Sequence, residues 1–312
     1  MNFFANQDLA RRQSKQLLLL FTLAVMGVVA AVYLAVYLIF LGPEVPVVGP
    51  HLLVIAGIVT LAIGIATLKN VFAMRKGGAS VAESLGAKLL PASSDDPKVQ
   101  QLRNVLEEIA LAAGTPVPPA YLIESETVNA FAAGYQPEDA VIGITRGALE
   151  HFSRDQLQAV IAHEYGHVVN GDARLGVRLL ALVAGLSFVA TAGLYLLGGS
   201  SSRNSARFGI ALVVIGAVGV FFATLLQRSI SRQREYLADA TAVQFTRNPD
   251  GMAGALELIQ QHGSAIESRK AVAASHLFFS SAVSLPGVLK GIEGWFSTHP
   301  PLQARIERIR GD

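Results

Sequence analysis

Cysteine is absent from the 312 residues of the chain. The protein therefore has no disulfide framework and no thiolate for a metal, so any zinc must be held by imidazole and carboxylate groups, the ligands typical of catalytic sites. Charged residues are also scarce, at 15% of the chain, and the net charge of +2 is small. A charge this low does not indicate nucleic-acid binding, and we expect no nucleic-acid partner.

Apolar residues, in contrast, make up 52% of the chain, which predicts a membrane protein with a soluble part. One uncharged run covers 17–41, and a second covers about 51–68. The first run is long enough to cross about 30 Å of hydrocarbon with some tilt. It is too long for the apolar part of a cleaved signal peptide, which is the alternative.

Basic residues flank this pair of runs on both sides and are missing from the short loop between them, which contains Glu44. They are Arg11, Arg12 and Lys15 before the pair, and Lys69, Arg75 and Lys76 after it. Because cytoplasmic loops are enriched in lysine and arginine, this distribution predicts that the N-terminus and everything after Arg75 lie in the cytoplasm.

Two further uncharged runs, about 179–197 and 208–226, are rich in glycine and alanine, which suits close helix packing in a bilayer. The polar stretch between them contains Arg203 and Arg207, so the charge rule is less clear here, and a buried helical hairpin is the alternative. We therefore predict about four transmembrane helices, arranged as two hairpins, and divide the chain into four segments. They are a transmembrane hairpin at 1–76, a first cytoplasmic part at 77–174, a second hairpin at 175–228 and a second cytoplasmic part at 229–312.

The soluble residues predict a mainly α-helical domain with a small β-sheet. Apolar residues at helical spacing indicate a helix over 98–113, which Gly114 ends. Three short runs of β-forming residues, around 120–124, 128–133 and 140–144, are separated by turn residues and predict the sheet. An edge strand of such a sheet can bind an extended peptide by main-chain pairing, and the pattern equally allows a purely structural sheet.

A strongly helical segment at 153–172 reads SRDQLQAVIAHEYGHVVNGD. Ser153 and Gln156 have the spacing of a capping box at its start, and Gly171 is a stop signal at its end. Apolar residues recur along one face between these two signals, so the segment is predicted to be a helix packed on a core.

Within this helix, His163, Glu164 and His167 form the pattern H-E-x-x-H. Residues four apart lie on nearly the same face, so the two histidines can bind one metal ion. From the rim of that face, the carboxylate of Glu164 can reach a water at the metal without binding the metal itself. This division of roles is typical of zinc hydrolases.

A third ligand is expected from Glu235, which lies in a helical segment after the fourth apolar run, with Asp239 one turn further on the same face. A carboxylate from a second helix completes a two-His, one-Glu zinc site, and Asp239 can accept the ring N–H of a ligand histidine. Two apolar runs separate Glu235 from the histidines and return the chain to the same side of the membrane. The alternative is that both carboxylates pair with Arg232 and Arg234 on a solvated face.

Four short motifs occur in order between residues 80 and 310. They are Val128-Asn129-Ala130-Phe131-Ala132, the HEYGH helix followed by Asn170-Gly171-Asp172, Glu235 with Asp239, and His299-Pro300-Pro301 with Arg305. With a transmembrane hairpin between the metal ligands, these motifs resemble the M48 family of membrane metalloproteases, the group of HtpX and Ste24, and four spans are closest to the HtpX type. Tyr165 stands where the family commonly has leucine.

The resemblance implies a zincin-like α+β metalloprotease domain with one Zn²⁺ per chain. It implies that His163, His167 and Glu235 bind the zinc and that Glu164 is the general base. It also implies that Asp239 accepts a hydrogen bond from a ligand histidine and supports it.

The resemblance further implies that the strand containing Asn129, Ala130 and Phe131 is the substrate-binding edge. His299 and Arg305 are expected near the cleft, where they help to bind the substrate or to stabilise the oxyanion. From the sequence alone, His299 can instead be a mere neighbour of the cap that starts the last helix.

The function implied is that of a zinc endopeptidase of the bacterial cytoplasmic membrane, with its active site facing the cytoplasm and misfolded or damaged membrane proteins as substrates. One alternative is a protease of prenylated peptides of the Ste24 type, which is disfavoured because those enzymes have more than four spans. Another is a catalytically silent, zinc-stabilised scaffold, which would not need Glu164. The sequence does not indicate an oligomeric state. The chain stops at Asp312, just after the last motif, which is compatible with the front part of a longer member.

Overall fold

The computed structural model describes residues 3–74, 77–91, 93–199, 202–262 and 299–311. Most of these residues are helical, as the sequence predicts. The helices are α1 (Phe3–Val36, followed by a π-helical turn at Tyr37–Leu41), α2 (Pro50–Met74), α3 (Gly78–Ser84), α4 (Pro97–Ala113), α5 (Arg146–His151), α6 (Arg154–Val169), α7 (Asp172–Gly199), α8 (Arg203–Thr246), α9 (Pro249–His262) and α10 (Leu302–Arg310). Arg75, Lys76 and the stretch 263–298 of the second predicted cytoplasmic part lie outside the described residues.

Contacts within the chain define two compact units. The apolar unit comprises Lys15–Arg75 and Gly176–Ile230, and the mixed unit comprises Met1–Ser14, Lys76–Leu175 and Ser231–Asp312. That the apolar unit lies in the bilayer and the mixed unit in the cytoplasm stays a prediction from the sequence.

Within the described part of the chain, four helical stretches are long and apolar enough to cross a membrane. They are Phe4–Leu41, Pro50–Phe72, Asp172–Gly199 and Arg203–Thr246. The predicted number of four is thus confirmed, and each helix extends beyond the uncharged run that predicted it. The longest is α8, with 44 residues. No glycine or proline interrupts α8 between 220 and 246, so the fourth apolar run and the segment with Glu235 form one helix.

Glycines in α7 and α8 bring these two helices of the apolar unit close together. A Cβ atom at Gly193 would lie 2.6 Å from the carbonyl oxygen of Gly209, and one at Gly216 would lie 2.4 Å from the backbone nitrogen of Ala190. No side chain fits at either position. Small residues at helix crossings are the usual way in which transmembrane helices gain close packing.

Within the described residues, the mixed unit contains one sheet of four strands in the order β1-β2-β4-β3. The strands are β1 (Lys88–Leu89), β2 (Ala120–Ile123), β3 (Ala130–Ala133) and β4 (Val141–Thr145). β2 and β4 are parallel, and the other two pairs are antiparallel. The last three strands confirm the three predicted ones. β1 was not predicted, because two residues are too few to show an alternating pattern.

In the described residues, the core of the mixed unit lies between this sheet and the helices α4, α6, α9 and α10. α6 packs against α4, α9 and β3, and α10 packs against α9. The predicted helix at 98–113 is confirmed as α4, which Asp96 caps and Gly114 ends with a positive φ of 66°. Its buried face carries Leu102, Leu106 and Ile109. Burying an aliphatic side chain of this size stabilises a fold by about 1.5–3 kcal/mol, so these three positions anchor α4 on the core.

Candidate metal centre

Capping interactions fix both ends of helix α6 and so fix the orientation of the two histidines that it carries. The predicted capping box is present: the backbone amide of Gln156 donates to the Ser153 hydroxyl at 3.3 Å, and the amide of Ser153 donates to the Gln156 side chain at 2.9 Å. At the other end, Asn170 is the C-cap and Gly171 has a φ of 69°. Only these two residues separate α6 from α7.

The three predicted metal ligands, His163, His167 and Glu235, come together in the mixed unit. The two Nε2 atoms are 3.1 Å apart. Glu235 places one carboxylate oxygen 3.5 Å from Nε2 of His167 and the other 3.7 Å from Nε2 of His163. In a tetrahedral zinc site with bonds of about 2.0–2.2 Å, neighbouring ligand atoms are roughly 3.3–3.5 Å apart, so the donor set and its spacing fit zinc.

Each ligand histidine has a carboxylate at its other ring nitrogen. Nδ1 of His163 lies 2.9 Å from the carboxylate of Asp239, as the sequence predicts for that residue. Nδ1 of His167 lies 2.7 Å from the carboxylate of Asp172, which the sequence reasoning missed. A carboxylate at Nδ1 accepts the ring proton and leaves Nε2 for the metal. The only sequence signal for Asp172 was its place in the motif that follows the HEYGH helix.

Arg305 is completely buried, with 0% of its surface exposed, and lies behind the metal ligands. Its guanidinium donates to both oxygens of Asp239, at 2.9 and 2.7 Å, and a third nitrogen is 3.4 Å from Glu235. Burial lowers the pKa of Arg305, but the charge and hydrogen bonds of Asp239 outweigh burial, so the net shift is upward. Arg305 therefore stays charged and holds Asp239 in place.

The alternative in which Glu235 and Asp239 pair with Arg232 and Arg234 on a solvated face is wrong. Both carboxylates are buried. Arg234 instead pairs with Asp172 and also donates to the carbonyl oxygen of Asn170 at 2.7 Å. The helical spacing of the carboxylates was correct, but their shared face points into the core because α6 and α10 supply their partners.

Glu164 lies next to the paired histidines with only 1% of its surface exposed. Burial raises the pKa of its carboxyl group to about 7, and the charge of Glu235 acts in the same direction. The charge of His167 and a hydrogen bond with the backbone of Ala132 act in the opposite direction. Among the described residues, no group forms a hydrogen bond with Oε1 of Glu164, so this oxygen is available to another partner.

Burial and electrostatics shift the pKa values of the two histidines in opposite directions. Burial lowers the pKa of His163 to about 4, although the hydrogen bond with Asp239 opposes this shift. Burial alone would also lower the pKa of His167. The hydrogen bond with Asp172 and the charges of Glu235 and Asp172 outweigh burial and raise this pKa to about 9. His167 thus lies in the more negative surroundings, which favour a cation at this position.

The predicted substrate-binding residues lie at β3, an edge strand of the sheet. The amide of Asn129 donates to the hydroxyl of Thr145 at 2.9 Å, and the amide of Ala130 donates to the side chain of Asn129 at 2.9 Å. Phe131 packs over Gly143, where a Cβ atom would come within 2.0 Å of its ring. These side chains are buried, so a peptide would meet main-chain groups of β3 rather than side chains.

The outward-facing main chain of β3 belongs to alternate residues. Thr145 donates its amide to the carbonyl of Asn129, and Ala130 is paired with Ile144, so Ala130 and Ala132 occupy the positions whose polar groups point away from β4. In the described part of the chain, no strand pairs with that side of β3. Ala132 was not among the predicted site residues. Its backbone forms the hydrogen bond with Glu164, so it connects this edge to the general-base candidate.

His299 completes the set of predicted site residues. It is buried, and its Nδ1 lies 3.1 Å from the carboxylate of Glu235, so the structure brings it to the metal ligands together with Arg305. His299 also lies close to the cap of the last helix, as the alternative states, since α10 begins three residues later. Whether His299 contacts a substrate stays a prediction.

The sequence of the chain is similar to those of known proteins. The model of peptidase family M48 matches residues 96–312. "Protease HtpX homolog" of Dictyoglomus turgidum is 36% identical over 245 residues, covering 77% of this chain and 77% of the relative. The protein of the same name from Caldanaerobacter subterraneus is 38% identical over 254 residues, covering 78% and 81%. A crystal structure of S. mikatae Ste24p is similar with a TM-score of 0.49 and 17% identity, covering 96% of this chain and 66% of that one.

The family match covers more than half of the chain and contains the two histidines, Glu164, Glu235 and the last motif. The curated relatives extend over two thirds or more of both chains. Together with the four apolar helices, these matches identify a multi-pass membrane protein that acts on polypeptides. The chain belongs to peptidase family M48 and is a membrane metalloprotease of the HtpX type.

Proposed function

We propose that this protein is a zinc-dependent endopeptidase of the bacterial cytoplasmic membrane, which cleaves misfolded or damaged membrane proteins from the cytoplasmic side. The observation that carries the proposal is the position of Glu164. This carboxylate is buried beside the His163, His167 and Glu235 cluster, touches the backbone of the edge strand β3, and keeps one oxygen without a hydrogen bond in the described structure.

His163, His167 and Glu235 would hold the zinc ion. Their ligand atoms lie within 4.8 Å of one another, and a site with three protein ligands would leave a position for water or substrate. When bound, zinc supplies Lewis acidity, which lowers the pKa of a water and polarises the carbonyl group of the peptide. Asp239 holds His163 in the tautomer that such a site requires.

Glu164 takes the role of general base in this proposal. A base works best when its pKa is near the working pH, and burial has raised that of Glu164 to about 7. Its free oxygen accepts a proton from the attacking water and returns it to the leaving amine. The hydrogen bond with Ala132 fixes the Glu164 carboxylate relative to β3, and therefore relative to a peptide bound along β3.

The peptide would lie extended along β3 and pair with the main-chain carbonyl groups of Ala130 and Ala132, because the amide of Ala130 donates to Asn129 and that of Ala132 to Glu164. Recognition by backbone hydrogen bonds does not depend on sequence, which suits a protease that removes many different damaged proteins. Arg305 supports this arrangement because its guanidinium pairs with Asp239 and Glu235 and holds both carboxylates in place. His299 is the residue of the last motif that we place nearest to the reacting groups.

The architecture of the chain supports the proposed substrate class. Four apolar helices belong to the same polypeptide as the metal centre, so the protease acts where membrane proteins are present. Basic residues lie before the first uncharged run, at 11–15, and after the second, at 69–76, which supports a cytoplasmic position for the metal centre.

Zinc dependence is tested with the purified full-length protein and a Glu235→Ala variant. We expect about one zinc ion per chain in the wild type, loss of cleavage of an unfolded membrane protein on chelation, and recovery on addition of zinc. Glu235→Ala should contain little zinc because only two of the three ligands remain. Elemental analysis and gel-based cleavage measure the two outcomes, and Glu257→Ala, on the surface of α9, is the matched control. Wild-type zinc content in Glu235→Ala would rule out this ligand set.

Orientation is tested by cysteine labelling, which the absence of native cysteine makes direct. Single cysteines replace Val48, Ser202 or the exposed Leu111, and intact cells are treated with a membrane-impermeant thiol reagent. We expect modification of the first two from outside and of Leu111 only after the membrane is opened. Modification of Leu111 in intact cells would contradict the cytoplasmic orientation.

A further inference from the structure

Asp172 is partly buried and lies between His167 and Arg234. It is the first residue of α7, its side chain is only 12% exposed, and its partner Arg234 is 15% exposed. One carboxylate oxygen accepts the Nδ1–H of His167 at 2.7 Å, and the other accepts hydrogen bonds from the guanidinium of Arg234. Both oxygens are therefore used, and the carboxylate cannot rotate without losing a charged partner.

Arg234 links this carboxylate to the segment that supplies the third ligand. It directly precedes Glu235 in α8, and it also donates to the carbonyl of Asn170, the C-cap of α6. The guanidinium thus joins the end of the helix that carries His167 to the turn of the helix that carries Glu235. A shift of either segment would change the distance of 3.5 Å between the ligand atoms of His167 and Glu235.

The other ligand histidine has a matching arrangement. His163 donates to Asp239, and Asp239 is held by two hydrogen bonds from Arg305. Each histidine therefore has its own aspartate and each aspartate its own arginine. The Asp239 and Arg305 pair contains residues of the site already discussed, whereas Asp172 and Arg234 have no role in the proposed reaction.

We propose that Asp172 and Arg234 act as one positioning unit for zinc binding. Asp172 fixes the tautomer and the ring orientation of His167, and Arg234 fixes Asp172 and aligns it with Glu235. The unit touches neither the peptide nor the reacting atoms. This inference rests on the proposed zinc site and adds to it the residues that determine how tightly the second histidine holds the metal.

A purely structural ion pair makes a different prediction. If Asp172 and Arg234 only joined two segments, their replacement would lower the stability of the protein, but a folded variant would bind zinc as the wild type does. If they position His167, a folded variant should bind zinc more weakly, because loss of such a hydrogen-bond partner typically weakens metal binding by about 10–100-fold.

The experiment measures zinc affinity of the full-length protein by competition with a chromophoric chelator. The variants are Asp172→Asn, Arg234→Gln and the double variant, and Asp155→Asn, in the exposed first turn of α6, is the control for the same chemical change. We expect affinity to fall by about 10–100-fold in Asp172→Asn and in the same direction in Arg234→Gln. Because the two residues act as a unit, the double variant should be no weaker than Asp172→Asn by more than about twofold.

Cobalt substitution gives a second measurement that stability alone does not change. The visible bands of bound Co²⁺ report ligand geometry, and we expect them to shift in Asp172→Asn and to match the wild type in Asp155→Asn. Circular dichroism and gel filtration identify variants that are folded. Unchanged zinc affinity and cobalt bands in folded Asp172→Asn, or fully additive losses in the double variant, would overturn the inference while leaving the zinc site intact. A wild-type protein without zinc affinity would overturn the proposed function and this inference together.

Discussion

Glu164→Gln is expected to retain zinc and to lose peptide hydrolysis. The amide has nearly the same shape as the carboxylate and does not belong to the ligand set, so the metal content should stay at the wild-type level. The amide cannot accept the proton of the attacking water, and removal of a general base typically reduces the rate by about 10²–10⁴-fold. Elemental analysis and the initial rate of cleavage of an unfolded membrane protein measure the two outcomes on the same preparation.

The matched control for this variant is Glu150→Gln. Glu150 is an exposed carboxylate near the end of α5, so the same chemical change there should leave both zinc content and rate unchanged. Cleavage by Glu164→Gln at more than about a tenth of the wild-type rate would be incompatible with its role as the general base.

Arg305→Leu is expected to cause the largest loss of stability of any single substitution discussed for this chain. It leaves Asp239 and Glu235 buried without the guanidinium that lies between them. Removing one partner of a buried ion pair typically costs about 3–5 kcal/mol. In a protein of this size, such a loss lowers the apparent Tm by on the order of 10 °C, which thermal unfolding in detergent can measure.

Arg310→Leu provides the comparison within the same helix. Arg310 pairs with Glu257 at 2.7 Å, but both side chains are more than 40% exposed, and exposed pairs contribute about 0–1 kcal/mol. We therefore expect a change in apparent Tm that is several-fold smaller. Equal changes for the two variants would show that the burial of Arg305 has no energetic importance. Arg305→Lys should lie between them, because an ammonium cannot bind both oxygens of Asp239.

Local patterns in the sequence were sufficient to predict the part of the site that lies on one helix. The capping box of Ser153 and Gln156 and the spacing of His163 and His167 depend only on helical geometry, which is the same in every protein. The choice of Glu235 as third ligand required topology as well, and the two apolar runs provided it. Helical spacing from Glu235 gave Asp239, and resemblance to a known family added His299 and Arg305.

The pairing of Asp172 with Arg234 could not be predicted in the same way. The two residues are 62 positions apart, and neither belongs to a repeating pattern that would bring them together. The alternative weighed for Arg234 was a solvated face, where charged residues usually lie, and only the packing of neighbouring segments brings Arg234 to Asp172. Strand β1 was missed for a simpler reason, since two residues cannot show an alternation.

The role of Arg305 illustrates a different limit. The family resemblance predicts that it binds substrate or stabilises the oxyanion, whereas its guanidinium is surrounded by Asp239 and Glu235. Position along the chain and residue type do not reveal which of several carboxylates an arginine will choose, because the choice depends on the burial of each group. The side-chain contacts therefore favour a supporting role, and the stability measurement tests it.

The separation of the metal ligands by α7 and most of α8 also sets an order of events during biosynthesis. Translation produces His163 and His167 first, then the two apolar helices, and only then Glu235. A nascent chain therefore cannot complete its ligand set before the second apolar pair has left the ribosome, and Arg305 follows later still. The predicted metal site can therefore form only after both helices of the second apolar pair have been synthesised.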